Sequence, residues 1–415
     1  MTTNPGGAYA APPSLGWNAV AGSHRQREVE RTMPPALCLL ADDLTGALDS
    51  AAWFASLAAP VQVVWQSRLY SGAIAVDAGT REMAAAAAGQ QVATLVAAFP
   101  PAPGGCHFLK LDSLLRGHAA TEIAAWHAVR PFDHCVLAPA FPRQGRVTRG
   151  GGQYWHDGAA WVPTACDLVR AVETAGFAPT LCHPGEAAPD GMSLWDAETD
   201  DDLRAIVAAG RGLAGEVLWC GCGGLAGALA DTLTGRHQPL LDALLPDASP
   251  WFVPVARPVL GLFGTDHPVT VRQIAACDAR LLVSADGTAE AVARVAARLR
   301  TAGLALVRPA LPDGLSRREA AQRIDMLFAD LIARLAPPAT LVVSGGETLR
   351  AVCRALGADH LDLIGQIVPG IPLSILRGGL WDGVGVVSKS GAFGTPDTLA
   401  QLFANVPPPA EGSDS

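Results

Sequence analysis

The nine cysteines include no C-x-x-C pair, which removes the ligand spacing of a zinc ribbon, and their odd number indicates no disulfide framework. Cys220-Gly221-Cys222 has the wrong spacing for a metal knuckle. Positive charge is scarce as well. Against 39 Asp and Glu there are 30 Lys and Arg, a formal net charge of -9 and a pI near 5.5, the reverse of a nucleic-acid footprint. No apolar run reaches the roughly 18 residues that span a membrane. Residues 1–34, rich in Ala, Gly and Pro and carrying Arg25, Arg27 and Arg31, lack the compact apolar core of a signal peptide and read as a mobile tail. No G-x-x-x-x-G-K-[ST] phosphate loop occurs, and no protein-kinase motif set. What remains is a cytoplasmic protein with thiols buried as small hydrophobes, acting on a small molecule, with no nucleic-acid or membrane partner.

Among 415 residues, 50% are hydrophobic and 17% charged, enough to bury large cores in two or three domains. Helical patterns alternate with short apolar runs throughout, which predicts α/β organisation with parallel sheets. Prolines at 246, 250, 254 and 258 fit neither a helix nor a central strand, so 246–258 reads as an extended linker. It divides a half at 35–245 from one at 259–415.

The first half carries three polar clusters at the ends of apolar runs. Leu109-Lys110-Leu111-Asp112 is followed by Arg116 and Gly117. On a strand Lys110 and Asp112 point to one face, and Arg116 beyond them offers a planar fork for a carboxylate while Asp112 accepts a hydroxyl proton. Alone, this pattern would be a salt-bridged strand end. A second cluster, Ala41-Asp42-Asp43-Leu44-Thr45-Gly46-Ala47, joins the run 36–40 to helically spaced Leu48, Ala51, Ala52 and Phe54. Asp43 or Thr45 caps that helix, yet two adjacent carboxylates exceed what one cap requires. The third is a Pro/Gly loop, 138–150, with Arg143, Arg146, Thr148 and Arg149 after the strand-like Cys135-Val136-Leu137. In parallel sheets the crevice beyond the carboxyl ends of the strands binds ligands, and an anionic substrate needs these local basic groups.

The second half supplies three strand-to-helix glycine loops: Gly264-Thr265-Asp266-His267-Pro268, Ser344-Gly345-Gly346-Glu347-Thr348, and Ser388-Lys389-Ser390-Gly391-Ala392-Phe393-Gly394, the last with Thr395 as cap and Pro396 at the first helical position. Each presents backbone N–H groups at a helix start, a cradle for an anion. Val217 to Gly227 also reads strand, glycine turn, helix, and nearly matches a dinucleotide fingerprint. Close packing of a helix on the sheet is the preferred reading there. A nicotinamide-dependent sugar-acid dehydrogenase is the alternative.

Five motifs in order, ADDLTGALDSA, KLDSLLRG, APAFPRQGRVTRGG, SGGET and VSKSGAFGTPDTL, spread over residues 37–402, resemble the four-carbon acid sugar kinases. That resemblance implies two α/β domains, each a mainly parallel sheet flanked by helices, with the active site in the cleft between a sugar-acid-binding half and a nucleotide-binding half. It implies ATP and Mg2+, and transfer of phosphate to the terminal (C4) hydroxyl of a tetronate. The substrate-side residues are then Asp42, Asp43, Lys110, Asp112, Arg116, Arg146 and Thr148, with Asp112 ahead of Asp43 as base and Arg116, aided by Lys110 or Arg146, on the carboxylate. The nucleotide-side residues are Thr265, His267, Gly345, Gly346, Glu347, Thr348, Lys389, Ser390, Gly391 and Gly394, Glu347 standing between an indirect magnesium contact and the ribose. The halves are expected to close on each other to exclude water. This chain departs from the family pattern at Leu114, at Thr265-Asp266-His267 and at Ala392, which leaves a non-catalytic nucleotide or sugar-acid sensor as a further alternative. The particular tetronate and any homo-oligomer are left open.

Overall fold

The computed structural model describes residues 37–56, 59–65, 72–99, 105–234 and 255–404. The tail at 1–34 and most of the 246–258 linker lie outside them. In chain order the strands of the first half are β1 (Leu37–Ala41), β2 (Val61–Val64), β3 (Ile74–Asp77), β4 (Cys106–Lys110), β5 (His134–Ala138), β6 (Arg146–Arg149), β7 (Gly152–His156), β8 (Trp161–Pro163), β9 (Thr180–Cys182), β10 (Gly191–Trp195) and β11 (Val217–Gly221). Those of the second are β12 (Val259–Phe263), β13 (Leu282–Ala285), β14 (Leu304–Pro309), β15 (Thr340–Ser344), β16 (His360–Gln366), β17 (Pro372–Arg377) and β18 (Gly385–Lys389).

Each half has the expected mainly parallel sheet with helices between strands. The order is β2-β3-β1-β4-β11-β5-β10-β9 in the first half and β13-β14-β12-β15-β18-β17-β16 in the second. Strands such as Leu-Cys-Leu-Leu-Ala of β1 are buried along their whole length because helices cover both faces. Their alternate residues enter different cores: Leu37, Leu39 and Ala41 face one layer, Cys38 and Leu40 the other. No helix among the described residues is long and apolar enough to cross a membrane.

The two sheets are one. β2 pairs antiparallel with β16, Val63 opposite Leu361 and Val61 opposite Leu363, so fifteen strands run without interruption through both halves. On one face a single apolar layer extends from Leu39 and Phe108 to Val343 and Leu349. On the other face the halves keep separate cores, one around Trp126 and one around Phe263.

Two local expectations are corrected. The arginine-rich stretch is not an open loop: after a short 3-10 turn at Pro142–Gln144, residues from Arg146 onward form a small antiparallel sheet, β6-β7-β8. The last helix begins at Thr398, not Pro396; Thr395 and Pro396 stay in the turn before it, where Gln273 Nε2 donates to the Thr395 carbonyl at 2.8 Å.

Because Leu361 is fully buried where the two halves pair, Leu361→Asp places an unpartnered charge in that seam. We expect urea denaturation to show a loss of roughly 3 kcal/mol or more, with both halves unfolding at lower denaturant together.

Candidate active site

β3, β1 and β4 run side by side, Ala41 standing opposite Asp77 on one flank and Lys110 on the other. Side chains just past their carboxyl ends are therefore neighbours. Asp42, Asp43, Lys110 and Asp112 meet there as the sequence suggests, joined by a residue it did not single out. Arg81, in the turn after β3, donates from Nε and Nη2 to the two oxygens of Asp42 at 2.8 Å each, and from Nη1 to Asp43 Oδ2 at 2.6 Å. Lys110 Nζ lies 3.7 Å from Asp42 Oδ1. Gly46 makes the approach feasible, since a Cβ there would stand 2.5 Å from Lys110 Nζ and 2.6 Å from Asp43 Oδ1.

Asp43 is the N-cap of the helix Leu44–Ala51, accepting from the Gly46 N–H at 2.8 Å through Oδ1 and from the Thr45 hydroxyl at 2.7 Å through Oδ2. Burial alone would raise its pKa, but the charges of Arg81 and Lys110 with these hydrogen bonds hold it below the usual carboxylate range. Lys110 is buried too, and Asp42 and Asp43 outweigh that burial to keep its pKa high.

Asp112 and Arg116 differ from expectation. Arg116 closes on Asp112 through Nε at 2.7 Å, Nη2 at 2.8 Å and its backbone N–H at 3.1 Å. The fork expected to hold a substrate carboxylate is already engaged. Against burial, Arg116, Arg81 and Lys110 pull the Asp112 carboxyl far down, so it is a poor proton acceptor. The turn that folds Arg116 back sets Leu115 at φ 55°, the one non-glycine residue at positive φ among the described residues, a strained conformation of the kind that clusters at functional sites.

Of the third cluster only Arg146 faces this center. Arg143 pairs with Asp200 and Arg149 with Glu198, both at 2.6 Å on the surface. Thr148, expected among substrate contacts, is fully buried and donates its hydroxyl to Gln153 Oε1 at 2.8 Å; Gln153 in turn donates to the carbonyls of Ser113 and Pro139. It braces the Asp112 turn from behind.

In the second half the three glycine loops converge on Thr265. A Cβ on Gly345 would lie 3.4 Å from the Thr265 Cβ, and one on Gly391 would lie 3.0 Å from Thr265 Oγ1 and 3.2 Å from the His267 Cβ. His267 caps the helix Pro268–Ala275, its Nδ1 accepting from the Val269 N–H at 3.3 Å. The helix Gly346–Leu356, by contrast, has no side-chain cap and starts at Gly345 with φ 102°, which leaves its first N–H groups for a ligand. Thr348 is buried beneath it and Glu347 is exposed in its first turn. Lys389 ties the loops together: its buried Nζ donates to Thr270 Oγ1 at 3.0 Å, Ser344 Oγ at 3.2 Å and the Ser390 carbonyl at 2.9 Å, and Thr270 donates to the Gly391 carbonyl. All three acceptors are neutral, and burial pushes the Lys389 pKa down to about 7. Gly394, at φ 90°, fits against Thr398 and Gln273.

The two sites touch. A Cβ on Gly346 would lie 3.1 Å from Thr45 Oγ1 and 3.5 Å from Asp43 Oδ2, so the open helix start of one half faces the carboxylate of the other. Arg350 in the same helix forms an ion pair with Asp77 at the end of β3. Phe393 crosses to the first half, packing edge-on to Phe141 at 6.1 Å.

Residues 37–178 match the family described as a sugar-binding N-terminal domain and 260–399 that of a nucleotide-binding C-terminal domain. A D-threonate kinase of Cupriavidus necator is 31% identical over 87% of this chain and 95% of its own length. The chain is a member of the four-carbon acid sugar kinase family. A D-threonate kinase of Bordetella bronchiseptica (29% identical, 88% and 96% covered) and a 3-oxo-tetronate kinase of Methylobacterium radiotolerans (27%, 67% and 65%) are also similar. The fold is shared with Haemophilus influenzae protein HI1011, at a TM-score of 0.64, 19% identity and coverage of 88% and 99%. As a family member the chain is a sugar-acid kinase, and kinase chemistry implies ATP. The Gly221–Gly227 turn does not resemble a nucleotide cradle, because its glycines are closely packed: Cβ atoms there would strike the Ala138 and Ala140 carbonyls, Asp49, Phe141 and Trp53.

Sequence reasoning missed Arg81 and Asp49. Arg81 had a signal, an apolar run ending in Asp77 with glycine and arginine shortly after, the pattern already noted at Asp112. Asp49 lies within ADDLTGALDSA, but as a charge on the apolar side of its helix it was not singled out.

A polyphosphate near Lys389 favours its charged form. Nucleotide affinity should therefore be complete below pH 7, where the empty protein is already protonated, and fall by up to about tenfold per pH unit above it. Calorimetric titration with ADP from pH 6 to 9 checks this, and Lys389→Met should flatten the profile.

Proposed function

We propose that the chain transfers the γ-phosphoryl group of ATP to the C4 hydroxyl of a four-carbon sugar acid. One observation carries the reading: the uncapped helix start at Gly346 stands against Asp43 and Thr45, so a phosphoryl group on the helix N–H groups would lie beside a carboxylate of the sugar-acid half. The Gly345, Gly346, Thr265 and Gly391 backbones would cradle the phosphates, with Lys389 supplying positive charge beneath them.

Asp43 is the better candidate to orient the attacking hydroxyl. It is nearer the helix start, and its Oδ2 is held by Thr45 and Arg81 at an angle fixed by the cap. Asp112 instead anchors Arg116. Since both carboxyls are held low, the role is orientation with late proton acceptance, consistent with a loose phosphoryl-transfer transition state. Magnesium fits the residues present: Asp43 and Glu347 flank the helix start, and no group of three His, Cys, Asp or Glu among the described residues converges on a metal by itself, which suits an ion held largely by phosphate oxygens. It would neutralise charge on those oxygens.

Asp43→Asn tests the assignment cleanly, because Asn is as good an N-cap as Asp and the helix should survive. We expect kcat for a tetronate to fall roughly 100-fold or more with a smaller change in KM and an unaltered circular dichroism spectrum. Asp112→Asn should lose less. Near-normal turnover by Asp43→Asn together with an inactive, folded Asp112→Asn would move the role to Asp112.

A further inference from the structure

One helix of the second half, Gly346–Leu356, meets the first half at two points. Gly346, at its uncapped start, stands against Thr45 and Asp43. Arg350, one turn further along, lies on the same face and pairs through Nη2 with Asp77 Oδ2 at the end of β3. The first contact belongs to the cradle. The second takes no part in it.

Asp77 divides its two oxygens between the halves. Oδ2 takes Arg350, while Oδ1 accepts from the Gly79 N–H at 2.9 Å. Gly79 stands at φ 66°, and a Cβ there would lie 2.7 Å from Arg350 Nη2, so the guanidinium occupies the space that a side chain would need. The turn is shaped to receive it. The Asp77 side chain is fully buried, and burial pushes its carboxyl up to about 6 against the pull of Arg350. A buried carboxylate deprived of such a partner is costly.

The same turn carries Arg81, and it has little slack. The Ala78 N–H donates to the Ala41 carbonyl at 2.8 Å and the Arg81 N–H to the Asp42 carbonyl at 3.3 Å. Between them the buried Thr80 hydroxyl donates at 2.5 Å to Glu122 Oε1, in the helix Ala119–Val129. Residues 77–81 are thus held from within the first half by β1 and that helix, and from the second half by Arg350. Only Thr80 separates Gly79 from Arg81, whose fork grips both oxygens of Asp42 and Oδ2 of Asp43. A displacement at Gly79 therefore reaches the atoms that hold Asp43.

We propose that Arg350 and Asp77 are positioning residues for phosphoryl transfer: Arg350 fixes the turn 77–81 from the nucleotide half, and through Arg81 it sets the Asp43 carboxylate relative to the helix start at Gly346. The inference rests on the reading of Asp43 above and adds what aligns it. The helix whose N–H groups would take the phosphates also carries the residue that fixes the opposing carboxylate, so both reacting partners are referenced to one rigid element. A misplacement of about 1 Å caused by a remote change can cost roughly 100-fold in rate.

Steady-state kinetics of the full chain with ATP and D-threonate tests the assignment. Arg350→Gln should lower kcat by roughly 10-fold or more, while the ADP dissociation constant, read by calorimetric titration, stays within a factor of about two. Arg350→Lys, which keeps a charge for Asp77 Oδ2, should recover most of the loss. The decisive readout is a double-mutant cycle. Because Arg350 acts through Asp43, adding Arg350→Gln to Asp43→Asn should lower kcat by no more than about twofold further, whereas an ion pair that only fastened the halves would cost the same factor in both backgrounds. Asp77→Asn probes the contact from the other side and should match the kcat loss of Arg350→Gln, with no further loss when the two are combined; should Arg350→Gln fail to fold, Asp77→Asn takes its place in the cycle. The proposal is overturned if Arg350→Gln, folded by circular dichroism, keeps the wild-type kcat, or if its loss is as large in the Asp43→Asn background as in wild type. Near-normal turnover by Asp43→Asn alone removes the reading beneath the proposal, and the proposal with it.

Discussion

The pairing of β2 with β16 is the constraint on which the site depends. Three backbone positions, 61 to 63 against 361 to 363, join two mainly parallel sheets into one, and across that junction the helix start at Gly346 stands against Asp43 and Thr45, just past β1. The pairings β2–β16, β16–β17 and β17–β18 are all antiparallel, so the two parallel sections run in opposite senses. Loops beyond the carboxyl ends of both sections nonetheless meet, Gly346 standing against Thr45 and Asp43. The Asp77–Arg350 ion pair and the shared apolar layer then fasten what the ladder has aligned.

That same rigidity bears on how water is kept out. A hinge between freely moving halves is the usual device, and an interdomain cleft suggests it. Here a hinge would have to tear a sheet and part a continuous core. The side chains that already cross come from a loop and from two helices: Phe393 against Phe141 and over Arg146, Thr45 against the Gly346 backbone, and Arg350 on Asp77. Glycine-bounded segments line the junction. Their glycines have two distinct uses, letting Gly345 take a positive φ at the helix start and letting Gly46 admit the Lys110 ammonium beside Asp43.

Much of this was legible in the sequence, and the failures have physical causes. Strand ends can be read because apolar runs buried on both faces stop abruptly, so Asp42, Asp43, Lys110 and Asp112 are recognizable as neighbours from the sequence. What the sequence did not reveal is which charge takes which. Arg116 looked free because sequence spacing says nothing about a turn tight enough to set Leu115 at φ 55° and fold the guanidinium back on Asp112. Thr148 looked available because a strand pairing inside an arginine-rich stretch is set by β7, not by local composition. Asp49 was hidden by helical periodicity, which marks its face as core. The sheet junction was invisible for the same reason that register is: it depends on edges three hundred residues apart.

A shared sheet also limits how this architecture can be recombined. Its halves match separate domain families, which invites the view that a nucleotide-binding half could be exchanged among relatives as a cassette. Such a graft would have to reproduce the edge of β16 and the apolar side chains of the common layer, not only the loops that face the ligand. Without them the donor half would present an unpaired strand edge, the surface from which aggregation starts. Inheritance of the two halves is therefore coupled by a hydrogen-bond ladder remote from any reacting atom, and variation in substrate preference has the loops above the strands as its freest ground.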